Sequence, residues 1–293
     1  MHAVPFLAPP DPYCDLKDAR AVVVPFPYEG GVSYGHGAAD APQAILEASQ
    51  QVEFYDDVLD AEAYRVGIAT LATPVIPEQS EPMVQLLAQL TDKLLDRRKF
   101  PIVVGGDHSI TTGFVRSVAK HFPTFGVIQL DAHADLRDSY EDNPLSHASV
   151  MARIRELTPH TFQFGIRSMA AEEAKRVKDE KLCFCTMRQW RQGRFDWQAA
   201  LDSLPEKVFI TLDVDVFDWS VIAATGTPEP GGLYWDETLD LLKSVFDAKD
   251  VIGCDVVELS PRPGEINSAF ALAKLIYKMI GFKFARELKT LTR

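Results

Sequence analysis

Residues 125–135 read Phe125-Gly126-Val127-Ile128-Gln129-Leu130-Asp131-Ala132-His133-Ala134-Asp135, an apolar run that opens directly onto two carboxylates with an imidazole between them. The segment Phe125–Asp131 has the composition of a strand covered on both faces, because a strand with one wet face alternates apolar and polar residues. In open α/β sheets, ligands gather outside the carboxyl ends of the strands. The acids after Leu130 stand at such an end. Working outward, the same order of apolar run, turn and helical period repeats. Strands are expected at Ala21–Pro27, Arg65–Leu71, Pro101–Gly105, Phe125–Asp131, Thr161–Ile166, Lys181–Thr186, Val208–Asp213 and Val251–Glu258. Helices are expected at Ala41–Gln50, Glu81–Arg98, Ile110–His121, His147–Leu157, Ala171–Glu180, Trp197–Ser203, Asp236–Ala248 and Ser268–Glu287. This alternation argues an α/β fold with one mainly parallel, roughly eight-stranded sheet and helices on both faces. No linker, low-complexity stretch or repeat divides residues 1–293, which read as one domain.

Composition narrows the function classes. The chain carries 25% charged residues and a formal net charge of -12. Such a surface repels nucleic acid and anionic membranes, so neither is expected as a partner. Cys14, Cys183, Cys185 and Cys254 contain no Cys-x-x-Cys pair and read as small buried hydrophobes in a reducing compartment. The first residues, Met1 to Leu16, lack a basic region followed by an apolar core, so the expected location is the cytoplasm. No uncharged apolar stretch reaches membrane-spanning length, and the C-terminal run, interrupted by Lys274, Lys278 and Lys283, reads as a docked amphipathic helix.

Two more strand ends carry the same kind of chemistry. If the extended backbone continues past Asp131, the two-residue side-chain period puts Asp131, His133 and Asp135 on one side. Bare carboxylates that close would repel until one took a proton, a penalty that a divalent cation removes. Val208–Asp213 runs into Asp213-Val214-Asp215-Val216-Phe217-Asp218, where Asp213 and Asp215 share a face and Asp218 caps the turn. Pro101–Gly105 runs into Gly106-Asp107-His108-Ser109. Six candidate ligands result: His108, Asp131, His133, Asp135, Asp213 and Asp215. They are too many for one tetrahedral zinc site. Imidazole and carboxylate donors without thiolate suit a pair of manganese ions, whose Lewis acidity would turn water into a nucleophile.

In that order and at those separations, Gly105–Ser109, Asp131–Asp135 and Asp213–Asp218 resemble the three metal motifs of the ureohydrolases, the arginase and agmatinase family. Ala224–Leu233 and Val256–Pro261 resemble two further segments of that family. The resemblance implies a three-layer αβα arginase-type fold and two Mn2+ per subunit. His108, Asp131, Asp135 and Asp213 would hold one ion; Asp131, His133, Asp213 and Asp215 would hold the other. It also implies that His147 is the acid–base histidine, that Glu258 binds the guanidinium, and that the protein is a homo-oligomer, trimer or hexamer. The roles of Glu258 and His147 also suit their side chains. A carboxylate accepts two hydrogen bonds from a planar guanidinium, and a histidine can protonate a departing amine, with Asp135 as the other candidate donor. The sequence departs from the family at Trp219, where a proline is usual, and between Gly35 and Pro42, where arginines are missing.

The substrate expected from this resemblance is a small cationic guanidino compound. Residues 136–146 contain Asp138, Glu141 and Asp142 against one cation, Arg137. Acids in a substrate loop attract an ammonium tail and repel a carboxylate. Agmatine, hydrolysed to putrescine and urea, is therefore favoured, with Asp138 and Glu141 as substrate contacts. Aminopropylagmatine, arginine and guanidinobutyrate are the alternatives within the family. A binuclear phosphoesterase or a non-catalytic metal-binding homologue stand further off, because phosphate chemistry calls for basic or glycine-rich anion contacts.

Overall fold

A computed structural model describes residues 4–291. The apolar runs form eight strands: β1 Ala21–Phe26, β2 Ile68–Thr70, β3 Phe100–Gly105, β4 Gly126–Leu130, β5 Thr161–Ile166, β6 Cys183–Thr186, β7 Lys207–Asp213 and β8 Asp250–Val257. All pair in parallel, in the order β2-β1-β3-β8-β7-β4-β5-β6. The helices are α1 Ala41–Ser49, α2 Ser80–Asp96, α3 Thr111–His121, α4 Val150–Leu157, α5 Ala171–Asp179, α6 Met187–Arg191, α7 Trp197–Asp202, α8 Trp235–Ala248, α9 Asn267–Lys283 and α10 Ala285–Leu291.

The strands are apolar throughout because both faces are covered. Successive residues of one strand enter different cores. Val22 and Val24 join Val103, Val127 and Phe209 beneath α2, α3 and α4. Ala21 and Val23 join Ile102, Ile128 and Ile210 beneath α1, α8 and α9. Three layers follow: helices, sheet, helices. Phe114 of α3 shows the packing at one point, buried edge-on against Phe209 of β7 with ring centroids 4.7 Å apart. A side chain of this kind contributes about 3–5 kcal/mol by mutational measure.

Several expected elements changed form. Residues 65–71 yield only a short strand, because Ala63–Val66 close into a 3-10 turn first. The expected helix starts at Ile110 and His147 are preceded by 3-10 turns, His108–Ile110 and His147–Ser149. The C-terminal helix is two helices, broken at Phe284, whose ring docks edge-on against Phe100 at 6.0 Å. That helix is also less amphipathic than expected. Lys278 is buried and neutralised by Asp56 at 3.2 Å and Asp57 at 2.8 Å. α6 was not anticipated, although Thr186 and Gln189 form a capping box at its start. No helix among the described residues is long and apolar enough to cross a membrane.

Candidate metal centre

Four adjacent central strands, β3, β8, β7 and β4, deliver the candidate residues at their carboxyl ends. Parallel strands put all those ends on one edge of the sheet, so residues far apart in sequence meet there. Asp213 lies opposite Val257, directly before Glu258, and Leu212 lies opposite Leu130, directly before Asp131. The chain does not stay extended beyond the strands. Asp135 adopts a left-handed backbone at φ 51, and Val214–Val216 form a 3-10 turn. The two-residue period is therefore not what gathers the ligands. Hydrogen bonds gather them: Asp131 Oδ1 accepts from the His133 amide at 2.6 Å, Asp213 Oδ1 from the Asp215 amide at 2.9 Å, and Asp215 Oδ1 from the Ala132 amide at 2.9 Å.

The remaining atoms converge. His108 Nδ1 lies 3.0 Å from Asp135 Oδ2, 3.2 Å from Asp131 Oδ2 and 3.4 Å from Asp213 Oδ2. His133 Nδ1 lies 2.8 Å from Asp215 Oδ2 and 3.7 Å from Asp131 Oδ1. Two groups able to hold a cation result, His108–Asp131–Asp213 and Asp131–His133–Asp215, with ligand atoms within 4.8 Å of one another in each. Asp131 is common to both, and Asp135 faces the first through His108. Two of the converging atoms, His108 Nδ1 and Asp215 Oδ2, are buried and have no hydrogen-bond partner. Buried polar atoms are rarely left so, and a cation facing each, one per group, is the partner that fits.

The electrostatics of the metal-free chain agree. Burial, then repulsion from Asp135 and Asp215, pushes the Asp131 carboxyl up to about 7. Burial, then Asp215 and Asp131, holds Asp213 well above the usual carboxylate range. Burial disfavours a charged His133, but the Asp215 carboxylate outweighs it and raises the imidazole to about 11. Burial likewise opposes protonation of His108, and Asp131, Asp135 and Asp213 together overcome it. Asp215 stays low despite burial because His133 faces it. Protons on two histidines thus stand in for positive charge that cations would supply.

Glu258 enters from β8 with a left-handed backbone at φ 68, and its Oε1 accepts from the His108 amide at 2.6 Å. Burial, then repulsion from Asp107, raises its pKa well above the usual range. His147 Nε2 lies 2.8 Å from Ser33 Oγ, and Tyr140 packs edge-on against its ring at 5.5 Å. Glu258, His147, His108, His133, Asp135 and Asp213 share the lining of one cleft of about 320 Å³. The loop acids do not. Asp138 is exposed and turned to Arg176 at 3.2 Å, and Glu141 is exposed, whereas Arg137 and Tyr140 are the residues of that loop that line the cleft. A loop's composition gives its charge but not the side on which each residue emerges.

Some contributors were not singled out from the sequence. Asp107 is buried and accepts from the amides of Gly30 at 2.7 Å, Gly31 at 3.1 Å and Ser109 at 3.0 Å, tying the loop that carries Ser33 to the end of β3. Gly106 permits this approach, since a Cβ there would be driven into the Tyr28 carbonyl. Arg167, just past β5, donates to the carbonyls of Asp215 at 2.5 Å and Glu229 at 2.9 Å, fixing the turn after β7. The strand-end rule reaches both Asp107 and Arg167.

Known proteins resemble this chain in sequence and fold. Residues 19–281 match the Arginase family. An N(1)-aminopropylagmatine ureohydrolase from Synechocystis sp. is 38% identical over 275 residues, covering 90% of this chain and 89% of that protein. An agmatinase from Pyrococcus horikoshii is 32% identical over 277 residues, covering 92% and 94%. The crystal structure of the agmatine ureohydrolase of Thermoplasma volcanium superposes with a TM-score of 0.87 at 26% identity, covering 99% of this chain and 96% of that one.

Proposed function

Because the chain belongs to the Arginase family and is a hydrolase of guanidino C–N bonds, we propose that it is a binuclear manganese ureohydrolase acting on a guanidino-amine. The observation that carries the metal reading is the pair of buried, unpartnered atoms His108 Nδ1 and Asp215 Oδ2, each turned into a ring of carboxylate and imidazole donors. The ligand sets are those the family resemblance implies, with Asp131 and Asp213 shared. Oxygen and imidazole donors favour manganese over softer or thiolate-seeking ions. When bound, the cations supply Lewis acidity, which makes water nucleophilic at neutral pH and offsets charge that develops on the guanidino carbon's substituents.

The chain's own residues do the rest. Glu258 accepts from the guanidinium nitrogens and fixes the plane of that group. Its left-handed backbone turns the carboxylate into the cleft instead of along the strand. His147, which lines the same cleft beside Ser33, holds the proton that goes to the departing amine. Urea and an amine are the products. Asp135 is the second candidate for that proton, though its Oδ2 already faces His108 at 3.0 Å.

The amine class rests on the names of the relatives, since the cleft acids Asp135, Asp213 and Glu258 are committed to the cations and the guanidinium. It no longer rests on Asp138 and Glu141. Agmatine is the simplest such substrate. The aminopropyl derivative is the second reading, favoured by the 38% identical relative. Urea release by manganese-loaded protein, measured with agmatine, aminopropylagmatine, arginine and guanidinobutyrate, separates them. Preference for either amine supports the reading. Preference for arginine or guanidinobutyrate, abolished by Arg137→Gln, would assign the cleft to a carboxylate-bearing substrate instead. A homo-oligomer, trimer or hexamer, belongs to the same reading, and light scattering that gives the mass of one chain would remove it.

A further inference from the structure

Beneath the ligand row lies a second polar row. Asp255 of β8 stands opposite Thr211 of β7, Thr211 opposite Gln129 of β4, and Gln129 opposite Gln163 of β5. All four are fully buried, two residues below Val257, Asp213, Asp131 and Gly165 on the same pleat. A core row of this kind would be cheaper in apolar residues, because each buried polar group needs a partner. At the Gln129 end both amide nitrogens have partners, while Gln163 Oε1 is left without one. Gln163 Nε2 donates to Gln129 Oε1 at 2.5 Å and to the Ala134 carbonyl at 2.7 Å, and Gln129 Nε2 donates to Asp131 Oδ2 at 2.6 Å. That chain of amides orients a carboxylate shared by both cation groups.

The other end ends in a carboxylate. We propose that Asp255 is a positioning residue for the metal centre, acting through Thr211 on the imidazole of His108; this rests on the metal-centre reading above. His108 Nε2 lies 2.8 Å from Thr211 Oγ1, while Nδ1 faces the acids. Asp255 faces the hydroxyls of Thr211 and Thr111, which lie 3.5 Å apart. Both Asp255 oxygens are buried and make no hydrogen bond of ordinary geometry, so they are left to accept from these hydroxyls. The Thr211 hydroxyl has one proton. An ionised carboxylate can only accept, so that proton goes to Asp255, and the Thr211 oxygen must accept from His108 Nε2–H. The ring is then locked with its Nδ1 lone pair toward the cation. Ligating histidines are commonly held this way by a partner on the far nitrogen; here a hydroxyl carries the effect one residue further. If the terminal acceptor became an amide able to donate, the Thr211 proton would be released toward Nε2. The tautomer would reverse, and Nδ1–H would face the cation.

The test is manganese titration of metal-stripped protein by calorimetry, with metal content after gel filtration. Thr211→Val and Asp255→Asn are expected to lose one ion or to weaken it about 10–100-fold, while Thr211→Ser, which keeps the hydroxyl, retains both. Thr211→Val carries the test alone if Asp255→Asn fails to fold. Wild-type affinity in both variants, or loss in Thr211→Ser equal to that in Thr211→Val, would overturn the inference while leaving the metal centre standing. Wild-type protein that binds no manganese would overturn both.

Discussion

Asp135 and Glu258 hold backbone conformations that their residue types seldom adopt, at φ 51 and φ 68. Such positions cost of order 1–3 kcal/mol each and persist only where surroundings enforce them. For Glu258 the enforcing contacts are its amide donating to the Gly106 carbonyl at 2.8 Å and its carboxylate accepting from His108. Glu258→Gln keeps the shape and one acceptor but removes the charge that faces a guanidinium. Charged hydrogen bonds contribute about 1.5–3 kcal/mol, so kcat/KM for the guanidino substrate is expected to fall roughly tenfold to a hundredfold. Manganese content should stay at the wild-type value, because Glu258 belongs to neither ligand group. Unchanged kcat/KM would remove Glu258 from the substrate site. The acids and histidines themselves were legible, since an apolar run ending in Asp-x-His-x-Asp has few structural uses. The backbone twist that aims them was not, because part of it comes from hydrogen bonds between residues far apart in sequence, such as His108 with Glu258 and Ala132 with Asp215.

Strands translated into elements more faithfully than turns did. The apolar runs survive as strands to within a few residues at most ends, since burial on two faces depends on composition alone. The turns at the carboxyl edge depend on partners from elsewhere. Arg167 holds the carbonyls after β7, and Asp107 holds the loop after β1. The acidic loop shows the same limit. Asp138 is drawn outward to Arg176 of α5, a contact that no local sequence feature announces. Asp107 offers a test at this scale. Its carboxylate accepts from three backbone amides and the Ser109 hydroxyl. Asp107→Ala leaves those donors without that partner, at about 1–3 kcal/mol for each that water cannot reach, which is the case for the buried Ser109. The melting temperature should drop, and hydrogen exchange should accelerate in residues 28–35 while β3, β8 and β7 stay protected. KM should rise more than kcat falls, because Ser33 and the cleft wall loosen. Uniform acceleration across the sheet would mean that Asp107 holds the core and not the loop.

At the scale of the whole molecule, the site's acids set how stability depends on pH. In the metal-free chain Asp131 titrates at about 7, against about 3.9 in an unfolded chain. Asp213 and Glu258 are raised as well. Between roughly pH 4 and 7 the folded protein therefore binds more protons than the unfolded one, and stability falls as pH rises. His133, raised to about 11, and His108 continue the same slope upward from their unfolded value near 6.5. Asp215 is depressed and acts in the opposite sense, but only below the ordinary carboxylate range. Cations reverse the balance, because they bind the deprotonated ligands and expel the protons, so their affinity grows with pH. Calorimetric melting from about pH 5 to 8 should show the chelated protein losing stability while the manganese-loaded protein holds or gains it, the gap widening at each step. Curves that stay parallel across this range would mean that the cation does not displace those protons, and that it is bound somewhere other than among Asp131, Asp213 and the two histidines.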